Sequence, residues 1–221
     1  ERFYATIGYN GHPPYLWDMF NDKSNLWTYI DPKHGHMIGI LPTLTSFYRV
    51  KGLDRKISMN EVNNAETNWL EIRYTEILMA YGEAANEIGK TDEALQVLYD
   101  VRKRAGILPG NEYKFGITAK TKEEVREAYL LEYFLEFAFE DKRVDILRRL
   151  RKWDKKLNGM IRHGLKISLK EGKAGPTGLD DVDDFIDAFN VEVIQIGNTP
   201  FNIRPEYYFY GIPQHHLNQN S

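Results

Sequence analysis

The sequence has no cysteine. That excludes a disulfide framework, cysteine-ligated zinc and a thiol nucleophile, without fixing the compartment. It contains no run of about 18 apolar residues, so no segment reads as a membrane span. It also lacks a basic excess. The 29 basic and 32 acidic side chains leave a net charge of -3, which gives no surplus to neutralise a phosphate backbone, and no nucleic-acid partner is expected. What remains is 221 residues, 42% hydrophobic and 28% charged. Such a composition folds and can bury one substantial core or two small ones.

Aromatics stand out. They make up 13% of the chain, and the 14 Tyr outnumber the 11 Phe. Tyr and Trp join an apolar face to a polar handle and recur where a surface recognises something. Ten aromatics fall in the first 50 residues. The chain opens Glu1-Arg2-Phe3-Tyr4-Ala5-Thr6-Ile7, with no initiator Met, basic n-region or apolar h-region. Residues 3 to 9 alternate like a strand. A start inside an element leads us to expect a fragment whose targeting signal lies upstream.

Three segments are expected. Residues 1–68 are loop-rich, broken by Asn10-Gly11, Pro13-Pro14, Asp31-Pro32, Gly35, Gly39 and Pro42. Residues 69–158 read as helix pairs. Ile77, Leu78, Tyr81, Ala84, Ala85 and Ile88 fall on one helical face, ended by Gly89. Thr91 is placed to cap a second helix carrying Ala94, Leu95, Leu98, Val101 and Ala105 on one face. Gly82, Ala85 and Ala94 are small where two helices approach, with the spacing of a tetratricopeptide repeat. Only one clear copy is present, and a single repeat cannot bury its own faces. Thr121 and Glu124 form a capping box before a helix that is apolar on most sides as far as Phe139 and is expected to be buried. A further helix is expected from Arg143 to Lys156. Residues 159–221 alternate as short strands through Leu165, Ile167, Leu169, Val191 and Val193. An acidic turn, Asp180 to Asp187, separates them. The Tyr207–Tyr210 tail and Phe134, Phe137 and Phe139 are expected to be core.

The sequence has no nucleophile elbow, no phosphate-binding Gly loop and no H-E-x-x-H. His34 and His36 flank Gly35 without a third ligand nearby, so they read as a surface loop and no metal is expected. The aspartates of 180–187 lack the Gly and Glu of a calcium loop and read as a solvated helix start. Glu132, Glu136 and Glu140 form a stripe that could hydrolyse a glycoside. Structural pairing with Lys142, Arg143, Arg148 and Arg149 is the stronger reading. No catalytic residue and no cofactor are assigned.

The loop aromatics remain as binding candidates. Tyr15, Trp17, Trp27, Tyr29 and Tyr48 are interleaved with amides, including Asn10 and Asn25. Ring stacking on sugar C–H faces with amide hydrogen bonds at the rim is the chemistry of a glycan platform. Packing of the same rings onto the helices is the competing reading.

Four segments resemble the C-terminal part of the SusD/RagB family. Arg2-Phe3-Tyr4-Ala5-Thr6-Ile7 is similar to its R-F-Y-A-T-[IV] segment. Ile72-Arg73-Tyr74-Thr75-Glu76-Ile77-Leu78 with Tyr81-Gly82-Glu83-Ala84 resembles F-R-Y-A-E-[VI]-L-L-x-Y-A-E-A. Val101-Arg102 and Arg104-Ala105-Gly106 resemble [VI]-R-x-R-A-G. Tyr207-Tyr208-Phe209 with Ile212-Pro213-Gln214 resembles the closing Y-x-F-P-I-P-Q. In the region resembling E-R-R-x-E-L-A-F-E-G-x-R-x-x-D-L-R-R, Tyr133-Phe134 replace two arginines, Asp141 replaces Gly and Asp145 falls one position early. The resemblance implies a mainly α, SusD-like tetratricopeptide fold with loop-rich segments and short β-strands. It implies a non-catalytic surface lipoprotein of the bacterial outer membrane, anchored by an upstream lipidated Cys. Such a protein delivers polysaccharide or oligosaccharide to a SusC-like TonB-dependent transporter. A RagB-like peptide carrier and a tetratricopeptide scaffold without small ligand are the alternatives.

Overall fold

The computed structural model describes residues 2–13, 24–37, 42–52, 66, 70–209 and 211–219. In chain order the elements are α1 (Arg2–Thr6), β1 (Ile7–Gly8), β2 (Ile30–Asp31), β3 (Gly35–His36), β4 (Tyr48–Arg49), α2 (Tyr74–Glu87), α3 (Thr91–Arg104), α4 (Lys122–Glu136), α5 (Lys142–Arg149), α6 (Trp153–Leu157), β5 (Arg162–Leu169), β6 (Phe189–Ile196) and α7 (Gln214–Gln219). Short 3-10 turns cover Val182–Ala188 and Pro205–Tyr208. The fold is mainly α.

α2 and α3 form a hairpin about Gly89, whose φ of 85° only a residue without a Cβ adopts cheaply. α4 packs on both. Their shared core holds Met79, Ala85, Leu98, Val101, Val125, Tyr129, Tyr133 and Phe137. At Gly82 the three helices approach closely. A Cβ there would lie 1.9 Å from the Tyr129 hydroxyl oxygen and 3.0 Å from Val97 Cβ. That hydroxyl donates to the Ala94 carbonyl at 2.7 Å, and burial raises its pKa. The small residues at 82 and 94 therefore fit an inter-helix hydrogen bond as well as a close approach.

The buried face of α2 differs from the expected one. Thr75, Met79, Gly82, Ala85 and Asn86 are buried, whereas Ile77, Tyr81 and Ile88 are exposed. An apolar count misses this face because two of its residues are polar. Asn86 is buried to donate to the Lys122 carbonyl at 3.0 Å. Thr91 does not cap α3: it is the first helical residue, and its hydroxyl reaches back to Asn86 Oδ1 at 3.4 Å. The capping box of α4 forms as expected. Glu124 N–H donates to Thr121 Oγ1 at 3.3 Å, and Thr121 N–H to Glu124 Oε2 at 3.0 Å. Thr121→Ala should lower the unfolding free energy by about 1 kcal/mol in urea titrations, with Glu124→Gln costing less.

α4 is not buried all round, since Leu131 and Leu135 are exposed; it stops at Glu136, and Phe139 beyond it is exposed as well. The helix expected from Arg143 to Lys156 is broken into α5 and α6, with Arg151 at φ 53° between them. The tail is largely exposed at Tyr207 and Phe209. Tyr208 is docked, donating to Asp154 Oδ1 at 2.5 Å and accepting from the Trp153 amide at 2.9 Å, and Tyr210 lies outside the described residues.

The expected strands of the last segment form. β5 and β6 pair antiparallel from Arg162↔Ile196 to Leu169↔Phe189. β2 joins β5 in parallel at Ile30↔Ser168, and β3 pairs antiparallel with β2. A second core of Trp27, Tyr29, Ile167, Leu169, Ala188 and Phe189 fastens the early loops to this sheet. The acidic turn is a 3-10 helix whose Asp181 side chain accepts from the Asp183 amide at 3.0 Å. Residues 2–6 are helical rather than extended, and only Ile7–Gly8 pair, with Tyr48–Arg49.

Candidate functional site

The early loops are held by the side chains singled out for ligand contact. Trp27 is 6% exposed, and its Nε1 donates to the Gly178 carbonyl at 3.2 Å. Tyr29 is 1% exposed; it meets the Phe189 ring at 5.1 Å and donates its hydroxyl to the Pro176 carbonyl at 3.0 Å. Burial, with the nearby Asp31 charge, raises its pKa. Asn10 Oδ1 accepts from the Thr28 amide at 2.9 Å, and Asn25 Nδ2 donates to the Asp180 carbonyl at 2.8 Å. Trp27 and Tyr29 are thus packed in a core and offer no open ring face, and the two amides are engaged by backbone. Tyr48 is half-buried beside Gly8, its hydroxyl accepting from the Thr43 amide at 2.9 Å. Tyr15 and Trp17 lie outside the described residues. Tyr29→Phe should cost about 1 kcal/mol of stability, read from the urea midpoint, because the Pro176 carbonyl loses its buried donor.

Two clustered accessible rings of the first segment were not among the binding candidates. In α1, Phe3 and Tyr4 are 47% and 58% exposed. Phe3 meets Tyr4 and Tyr9, both at 5.6 Å between centroids, and Phe47 at 6.3 Å; Tyr4 meets Tyr9 at 5.7 Å. Buried His12 braces the group from below. Its ring lies edge-on to Tyr9 at 4.9 Å, and its Nε2 is 3.0 Å from the Tyr4 carbonyl oxygen. A cluster with edge-to-face geometry and two solvent-facing rings is a stacking surface of rigid parts. Strand alternation hid it, because a helical turn puts both Phe3 and Tyr4 against Tyr9.

The glutamate stripe is fully engaged, but not by the expected neighbours. Glu132 is paired with Arg2 at 2.5 Å and Arg102 at 2.8 Å. Glu136 meets Arg2 at 3.1 Å, Arg73 at 2.8 Å, and Arg104. Glu140 holds Lys51 at 2.5 Å and Arg73 at 2.8 Å. Burial would raise the Glu140 carboxyl, yet the Arg73 and Lys51 contacts hold it below its ordinary value. Lys142 instead contacts Glu76 at 3.1 Å, and Arg149 contacts Glu83 at 2.6 Å. His34 is exposed and faces Asp31 at 3.2 Å. Among the described residues no three metal-ligating side chains converge, and no helix is long and apolar enough to cross a membrane.

The SusD family model matches residues 1–221. The chain belongs to the SusD family. A SusD-like protein from Bacteroides fragilis has the same fold, with a TM-score of 0.70 at 22% identity over 99% of this chain. "SusD-like protein P2" of Formosa agariphila is 31% identical over 112 residues, which is 50% of this chain. The chain spans 36% of the fragilis structure and 21% of the agariphila protein.

Proposed function

We propose that this SusD-family chain is part of a non-catalytic nutrient-capture protein, with glycan as the ligand class. The observation that carries this reading is the exposed Phe3–Tyr4 cluster backed by Tyr9 and Phe47, within a chain matched by the family model from end to end. Flat rings on a braced scaffold suit the C–H faces of pyranoses. Tyr15, Trp17 and Tyr48 are proposed as further ligand contacts. Trp27, Tyr29, Asn10 and Asn25 are proposed to act indirectly, by holding the loops.

The glutamates give little support to hydrolysis, since each carboxylate is ion-paired and a general acid needs a proton to give. We further propose the setting that goes with the family: a surface lipoprotein of the outer membrane, working with a SusC-like TonB-dependent transporter. Isothermal titration of the intact protein against oligosaccharides and peptides tests the reading. Saturable glycan binding weakened by Trp17→Ala supports it. Flat glycan titrations with clear peptide binding would favour a RagB-like carrier. Transporter binding without any nutrient would favour a scaffold.

A further inference from the structure

A second feature stands apart from the aromatic surface and does not depend on the glycan reading. A cavity of about 480 Å³ opens between α1, the start of α2, the end of α3 and the end of α4. Arg2, Lys51, Arg73 and Arg104 line it together with Glu136 and Glu140. In the cluster as a whole, five cations (these four and Arg102) face three carboxylates, Glu132, Glu136 and Glu140, among the described residues.

The donors and acceptors are unevenly satisfied. Both oxygens of Glu136 and both of Glu140 are in contact with cations. The cations have capacity left. Arg2 lies within ion-pair range of Glu132 and Glu136; its buried Nε, Nη1 and Nη2 are not aligned for a hydrogen bond, and neither is the buried Glu132 Oε1 that faces it. Arg104 engages Glu136 through Nη2 alone and is 58% exposed at the cavity rim. A guanidinium offers five donors in a planar fork that matches an oxyanion. Arg104, open at the rim, has donors left for an entering anion, while the buried Arg2 charge strengthens the positive field behind it.

We propose that this cavity binds an oxyanion, a carboxylate or a sulfate group, of an acidic ligand, with Arg104 as its principal donor and the buried Arg2 charge behind it. Its volume lies in the range of small-molecule pockets, enough for the group and the residue that bears it. Arg73 and Lys51 are held by Glu140 and set the positive background. Arg102 ties Glu132 behind the cavity.

The test titrates the intact protein with a galacturonate oligomer, a sulfated monosaccharide and a neutral glucose oligomer. The first two arms separate carboxylate from sulfate as the source of the anion. At least one acidic probe should bind, with affinity falling as salt is added. Arg104→Gln should weaken that binding about tenfold, as expected for loss of one charge-assisted contact. Arg104 is exposed, so this variant should fold, and Lys103→Gln on the same turn, away from the cavity, should leave binding unchanged. No acidic probe binding better than the neutral one, or equal losses in both variants, would overturn the proposal. Neutral-glycan binding that persists in that case leaves the aromatic reading intact, so the two fail separately.

Discussion

Glu132→Gln is expected to lower the unfolding free energy by about 3–5 kcal/mol, the scale for removing one member of a buried ion pair. The Glu132 side chain is 0% exposed, and its partners Arg2 and Arg102 are 16% and 12% exposed. The amide keeps the shape but not the charge, so two guanidinium groups lose their counter-ion in a poorly solvated place. The cost is therefore desolvation left uncompensated, more than lost attraction. Adding Arg102→Leu to Glu132→Gln should recover part of the loss, since one orphaned charge goes with it. Urea midpoints of the wild type, both single variants and the double variant measure this. A Glu132→Gln loss under about 1 kcal/mol would mean that the carboxylate is solvated or neutral. Arg2 sits in α1 and Arg102 in α3, so the same variant should loosen the attachment of the first helix to the bundle.

The second large effect is steric. Gly82→Ala should cost about 3 kcal/mol, from overpacking plus displacement of a buried hydrogen bond. The new Cβ would lie 1.9 Å from the Tyr129 hydroxyl oxygen, and Val97 blocks the other side. Tyr129 has to move, and the Ala94 carbonyl then loses its donor. Tyr129→Phe alone should cost about 1 kcal/mol. In the Gly82→Ala background it should restore part of the stability, because the closest clashing atom is removed while the ring Cζ, 2.9 Å from the new Cβ, remains. That reversal of sign distinguishes a contact clash from the helix-favouring effect of alanine, which on an exposed site would stabilise.

These two sites show what a one-dimensional reading captures. The small residues at 82, 85 and 94 marked a close helix approach, and the structure places one there. The capping box at Thr121 and the strand pair at 162–169 and 189–196 are local patterns and were equally legible. The cation partners of Glu132, Glu136 and Glu140 were not. Lys142 and Arg149 are near in sequence, but a helix stripe is paired by whatever the tertiary fold lays across it, here Arg2, Lys51, Arg73, Arg102 and Arg104. The buried face of α2 was hidden for a related reason: Asn86 and Thr75 are polar by type but buried by a tertiary contact, while Ile77 and Tyr81 are exposed. In the early loops, Trp27 and Tyr29 had the composition of a sugar platform. Composition cannot show that the Pro176 and Gly178 carbonyls lie within reach of their polar tips. The Phe3–Tyr4 surface was concealed because a five-residue helical turn can alternate like a strand.

The central claim is that sugar meets the exposed rings of the first helix, whereas the buried loop aromatics only hold the scaffold. Parallel titration of Tyr4→Ala and Tyr29→Phe with a glycan that the wild-type intact protein binds tests it most directly, with unfolding midpoints recorded alongside. The account predicts about a tenfold loss of affinity for Tyr4→Ala with an unchanged midpoint, the scale of one stacking ring. For Tyr29→Phe it predicts a lowered midpoint with affinity retained. Unchanged affinity in Tyr4→Ala together with a clear loss in Tyr29→Phe would contradict it.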